Sequence, residues 1–474
     1  MLQLLKRASG PSAKGPLVDP GTIGALHGLR FVAAFCILFS HSCTWLANFS
    51  DNNAIILFGD FFAVYGMTLF FVLSGFVIHY SYGRIFARER FGEAAYTFFA
   101  ARFARLYPLF IIFFAVGFLV DGMLSWLTSH RLNLALAVAH ALTLTQSWVY
   151  IPMFGDRLVL DNGYGLSWSI STEWFFYLSY PLLGRWLLLM KRPRSIVGIA
   201  IGLSTFALAT LTLCWLYRDN LDLLLRAWFN DPFTDWTHSA DRWLFYYSPY
   251  IRILEFALGC MSAQLFLSVQ GVPISSREDR MARAACYVAC CALLLFGSLY
   301  IGVRSGSFVE YLAFVRLNFG PAVPLAVIMF CVSRYNSLVL TAVLASPLLI
   351  YLGEISYSIY TVHTWTLRIF IRPEVGFTPL LGIEAALRII AAIGVTLLLS
   401  SATYRLIEVP SRRAIRRILS VHPARRVDGE FGQGARIGPA WLTSRSYAWL
   451  LATGFCALLI YQFMIVPQFA SFTK

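Results

Sequence analysis

Long apolar runs separated by short polar links fill the chain, near 26–46, 61–80, 104–120, 166–188, 196–217, 246–268, 284–303, 317–333, 347–370, 386–406 and 446–466. A run of about 17 to 25 residues is long enough, as a helix, to cross a hydrocarbon layer about 30 Å thick. Backbone crossing lipid must pair within itself, so these runs predict helices. The pattern therefore predicts an all-α, polytopic membrane helix bundle.

The charge of the links gives each end a side. Arg84, Arg88, Arg90, Arg102 and Arg105 follow the second run, and Arg185, Lys191, Arg192 and Arg194 follow the fourth. Arg277, Arg280, Arg283, Arg334 and the dense series from Arg405 to Arg426 continue the pattern. Excess Lys and Arg marks cytoplasmic links. The links 47–60 and 218–242 carry mainly acidic charge and are expected outside. Parity then requires that the shorter apolar run at 132–148 not cross, so it is expected to be re-entrant or to lie at the outer surface. The expected organisation is a cytoplasmic tail (1–25), a ten-span body (26–410), a basic cytoplasmic linker (411–445) and one further span within 446–474 that ends outside.

Composition agrees with lipid as the main solvent: 58% of residues are apolar and 13% charged, against about a quarter charged in soluble domains. A net charge of +14 would suggest nucleic acid in a soluble protein. Here the arginines sit in the links and no segment interleaves basic with aromatic residues, so no nucleic-acid partner is expected. All nine cysteines lie in or beside apolar runs, without zinc-like spacing or a disulfide framework; they predict small core residues and no metal. Residues 1–25 lack the apolar core of a cleaved signal peptide.

Against this background Arg30 and His41 stand out inside the first run. Eleven residues apart on one helix, they share a face about 16 Å apart along the axis. Ionisable groups are costly there and usually face a cavity or a partner. Taken singly, His41 is equally well explained as a packing histidine and Arg30 as a residue snorkelling to the interface. Arg102 and Arg105, three apart, share a helix face and suit either phosphate groups or topology-setting charge.

Six segments together resemble the membrane acyltransferase-3 family: LHGLRFVAAFCILFSHS at 26–42, FFVLSGFVI at 70–78, RFARLYP at 102–108, LSWSISTEWFFYLSYPLL at 166–183, LGEISYSIYTVH at 352–363 and YRLIEVPSRR at 404–413. The resemblance implies transfer of an acyl group, commonly acetyl from cytoplasmic acetyl-CoA, to a hydroxyl of an envelope or exported glycan at a bacterial inner membrane. It also implies that Arg30, Arg102 and Arg105 hold acyl-CoA and that His41 is the base for direct transfer or, on a competing route, the carrier of an acyl-histidine. Glu173 or Asp60 is expected to orient the imidazole or meet the acceptor, with Trp168, Ser169, Ser171 and His363 as substrate-binding candidates.

Two positions depart from the family pattern: Trp174 replaces a second carboxylate after Glu173, and His27 replaces an Asp before Gly28. Ser74 and Gly75 are expected to allow close helix packing. Tyr404, Arg405 and Glu408 are expected to form a structural clamp. The 132–148 run and the outward 218–245 loop, with Trp228, Trp236 and Trp243, are the expected acceptor platform. A transporter or flippase of a lipid-linked sugar is the alternative function, although no internal repeat is evident.

Overall fold

The computed structural model describes residues 20–47, 53–120, 131–153, 157–159, 165–302, 307–370, 382–419 and 442–465. The first part of the expected tail, most of the basic linker and the side chain of Asp60 lie outside the described residues.

The chain forms helices α1 (Pro20–Ala47), α2 (Asn53–Arg88), α3 (Phe91–Val120), α4 (Arg131–Thr143), α5 (Ser167–Leu187), α6 (Pro193–Leu216), α7 (Arg218–Phe229), α8 (Pro249–Val269) and α9 (Ser276–Gly302). There follow α10 (Ser307–Arg316), α11 (Ala322–Arg334), α12 (Val339–Leu344), α13 (Pro347–Glu354), α14 (Ser356–Phe370), α15 (Gly382–Thr403), α16 (Val409–Ile418) and α17 (Ser444–Ile460). A two-residue antiparallel ladder, Pro152 opposite Leu158 and Met153 opposite Arg157, is the only strand pairing among the described residues. The protein is an all-helical bundle.

Eight helices among the described residues are long and apolar enough to cross a membrane. The expected spans at 166–188, 317–333 and 347–370 are not among them, for three separate reasons. Helix α5 carries Ser167, Ser169, Ser171, Thr172 and Glu173 in its first two turns. Helix α11 has only 13 residues. The third run breaks at Ile355 into α13 and α14. Helix α4 also has 13 residues, a rise of about 20 Å, too short for a hydrocarbon core of about 30 Å.

The centre of the bundle is α2, which packs along α1 on one side and α8 on the other. At the α2–α8 crossing, a Cβ on Gly75 would overlap the Phe256 carbonyl oxygen, and a Cβ on Gly259 would overlap the Val72 carbonyl oxygen. The expected close approach at Gly75 is thus present and reciprocal, and the Cys260 thiol donates to the Gly75 carbonyl across it at 3.3 Å. Two backbones cannot separate locally inside a packed core without opening voids. Gly259→Val is expected to destabilise the protein by about 3 kcal/mol, read as a lowered unfolding midpoint of the purified chain; an unchanged midpoint would contradict this packing.

The linker region begins as structure. Helix α15 passes through a π-turn, Tyr404–Glu408, into α16, which packs on α3. Buried Glu408 accepts from Ser358 at 2.9 Å and pairs with Arg412, while Arg405 lies over the Tyr351 ring at 5.9 Å. These contacts clamp α14 and α13 to the start of the basic segment.

Candidate active site

Helices α1, α2, α3, α5 and α14 line a cleft. Arg30 enters from α1, Ser74 from α2, Arg102 and Arg105 from α3, Ser169, Glu173 and Tyr177 from α5, and Tyr357 and Tyr360 from α14. The break at Ile355 matters here, because it brings the first turns of α14 to the cleft wall. Non-continuous helix at membrane depth is tolerated where it lines a cavity.

Arg102 and Glu173 each have a physical anchor. Arg102 is 7% exposed and donates to the Tyr82 hydroxyl at 2.9 Å. Its guanidinium lies 4.8 Å from the Tyr82 ring centre and 5.8 Å from that of Tyr177. Cation–π contact with these rings and with Phe98 at 6.0 Å fixes the plane of the fork, which leaves it oriented for an anion. Glu173 accepts from Tyr177 at 2.6 Å and from Ser74 at 2.9 Å. Ser74, expected only to pack, is thus a carboxylate partner as well. The cleft sets three guanidinium groups against one carboxylate, an excess of positive charge suited to phosphate-bearing ligands.

His41 lies along α1 from this cleft and is not one of its lining residues. Its Nδ1 is 2.8 Å from Nε2 of His363 on α14. His363 is fully buried, and its Nδ1 lies 2.8 Å from the Tyr360 carbonyl oxygen. Tyr360 in turn reaches the cleft, where its hydroxyl is 2.6 Å from that of Ser169. One residue therefore connects the imidazole pair to the cationic cleft.

The structure brings Arg30, Arg102, Arg105, Glu173 and Ser169 together, and separately pairs His41 with His363. It does not join Glu173 to His41; the carboxylate is engaged by Tyr177 and Ser74 instead. Trp168 and Ser171 do not line the cleft either. Trp168 packs edge-on against Phe71 and Tyr247. The Ser171 hydroxyl donates to Leu144 O at 2.8 Å and accepts from the Ser147 backbone N–H at 3.2 Å. With Gln146 donating to Ser167 O and the Trp148 indole to Ser171 O, the serine-rich start of α5 is a socket for residues 144–148. Leu144 adopts φ +56 there, a conformation costly for a residue with a Cβ and held by these bonds.

The expected acceptor platform is tied to the same socket. Buried Trp243 donates to Ser147 O at 3.1 Å. The Tyr150 hydroxyl donates to Asp231 at 2.5 Å, and burial together with that carboxylate pushes the phenol's pKa up. Trp228 and Trp236 remain exposed. The final helical segment closes this side: Gln462 accepts from the Tyr150 N–H at 2.8 Å and donates to the Tyr150 carbonyl at 2.9 Å.

One charged pair escaped the sequence reading. Arg252 and Glu255 on α8 are 1% and 0% exposed and meet at 2.9 Å. Glu255 also accepts from Thr68 at 3.1 Å, and Arg252 donates to Tyr246 O at 3.1 Å. The Arg252 guanidinium lies 5.6 Å from the ring centre of Phe71, a wall residue of the cleft. An R-x-x-E pair inside an apolar run was the available signal.

A helical bundle with membrane-length apolar helices and a cationic cleft beside a histidine pair defines an integral membrane protein with a polar site among its helices. Residues 23–405 match the model of the acyltransferase-3 family, described as an acyltransferase domain, and the chain belongs to that family. It is similar to Nodulation protein 10 of Rhizobium leguminosarum bv. viciae, with 28% identity over 194 residues, 38% of this chain and 49% of that protein. It is also similar to acyltransferase MdmB of Streptomyces mycarofaciens, with 25% identity over 348 residues, 73% of this chain and 79% of that one. The matched region thus spans about half of the first relative's length. No solved structure matches the chain significantly. The protein is an integral membrane member of that family.

Proposed function

We propose that the enzyme takes acetyl-CoA from the cytoplasmic side and transfers the acetyl group to a hydroxyl of an envelope or exported glycan. The observation that carries this reading is the convergence of Arg30, Arg102 and Arg105 on one cleft at the foot of the helix that bears His41. The guanidinium groups would hold the nucleotide phosphates. The rise from Arg30 to His41, about 16 Å, is comparable to the reach of a pantetheine arm and would bring the thioester toward the imidazole. His41 would take the acceptor's proton, and Glu173, locked to Tyr177 and Ser74, would bound the cleft. The exposed Trp228 and Trp236 offer aromatic faces for a sugar acceptor outside.

CoA release from acetyl-CoA by the purified full-length chain in lipid nanodiscs tests this reading. Arg102→Ala combined with Arg105→Ala is expected to raise KM for acetyl-CoA about 100-fold, since charge-assisted hydrogen bonds are worth about 1.5–3 kcal/mol each. An unchanged KM would remove these arginines from donor binding. Succinyl-CoA assayed in parallel addresses the acyl group.

A further inference from the structure

We infer that His363 is a positioning residue that fixes His41 as the tautomer with Nδ1 protonated and Nε2 bare, so that Nε2 is the atom that receives the acceptor's proton. This rests on the reading of His41 as the base. A carbonyl oxygen only accepts, so the His363 Nδ1, 2.8 Å from Tyr360 O and 3.2 Å from Ile359 O, carries a hydrogen. In the neutral ring its Nε2 is then an acceptor. The His41 Nδ1 facing it at 2.8 Å must therefore be the donor, which leaves the remaining nitrogen of His41 with a free lone pair.

Ring geometry agrees. The two centroids are 5.1 Å apart and the planes are 21° from parallel. That separation equals the nitrogen–nitrogen contact plus one ring radius on each side. The rings therefore meet edge to edge, with the N–H axis near both planes, and are not stacked face to face. The second ring nitrogen of a base commonly has its proton set by such a partner, usually a carboxylate; here the acceptor is an uncharged imidazole, itself held by α14 backbone carbonyls.

The transfer step then balances. The acceptor oxygen bonds to the thioester carbonyl carbon while its proton moves to His41 Nε2. The C–S bond breaks, and the CoA thiolate takes that proton back. In the interval the imidazolium shares its Nδ1 hydrogen with His363.

Two measurements test the inference. With 15N-labelled histidine in the full chain, and with His41→Gln and His363→Gln used to assign the signals, solid-state NMR should show His41 protonated at Nδ1 only; a proton resident on Nε2 would overturn the inference whatever the activity. In the acetyl-CoA assay, with water as acceptor, His363→Phe keeps a ring but offers no acceptor, and should lower kcat about 100-fold with KM unchanged. His363→Gln, whose carbonyl can accept from Nδ1, should stay within about tenfold of wild type. Equal losses in the two variants would reduce His363 to packing. Full activity in His41→Ala would instead sink the assignment of the base while leaving the tautomer to the NMR result.

Discussion

His41→Ala is expected to lower acyl transfer by about 1,000-fold, within the range that a positioned general base contributes, while leaving the affinity for acetyl-CoA close to that of the wild type. The two halves of this expectation come from different parts of one helix. Arg30 lines the cationic cleft, whereas His41 lies three turns further along α1, paired with His363. CoA release measured beside equilibrium binding separates them, and loss of binding together with turnover would mean that His41 supports the fold of α1 instead of the chemistry. The same variant addresses the route. If radiolabelled acyl-protein accumulates in the wild type without an acceptor and vanishes in His41→Ala, the group travels through an acyl-histidine and the direct transfer proposed above fails.

The largest expected effect on stability belongs to Arg252 and Glu255. Removing one partner of a buried pair leaves the other charge uncompensated, at a cost of about 3–5 kcal/mol. Arg252→Met is therefore expected to lower the unfolding midpoint sharply. Because the guanidinium also lies over Phe71, the same substitution should loosen the cleft wall and raise KM for acetyl-CoA. Arg252→Met combined with Glu255→Leu removes both charges and should recover most of the lost stability, since apolar replacement of an entire buried pair is often neutral. A double variant no more stable than the single one would show that the hydrogen bonds to Thr68 and Tyr246, and not the charges, hold this crossing.

What was legible in the sequence followed from physics that acts locally. Apolar length predicted the helices, and the motif segments grouped Arg30, Arg102 and Arg105; Glu173, expected beside His41, lies instead in the cleft with the arginines. What stayed illegible depended on which helix faces meet. The partner of His41 is 322 residues away, and no periodicity within α1 or α14 announces it; Glu173 and Asp60 were equally reasonable from position along the span. Ser171 reads as a substrate contact because it belongs to a segment that resembles the family, yet its hydroxyl is engaged in holding Leu144 and Ser147. The break at Ile355 was hidden for a related reason. The run 347–370 reads as one apolar span, yet α13 ends at Glu354 and α14 begins at Ser356. Arg252 and Glu255 were visible as letters, but their spacing was absorbed into an apolar run and their mutual neutralisation hid them.

The bond pair between Gln462 and Tyr150 separates two ideas of a domain. The family-model match ends at 405, but the backbone N–H and carbonyl of Tyr150 find their partners in a side chain beyond it. A chain cut at the family boundary would expose that buried peptide group beside Trp243 and the socket under α5. The segment matched to the family therefore lacks partners that Tyr150 uses, and expression of the matched region alone is expected to loosen the socket under α5 more than the cationic cleft.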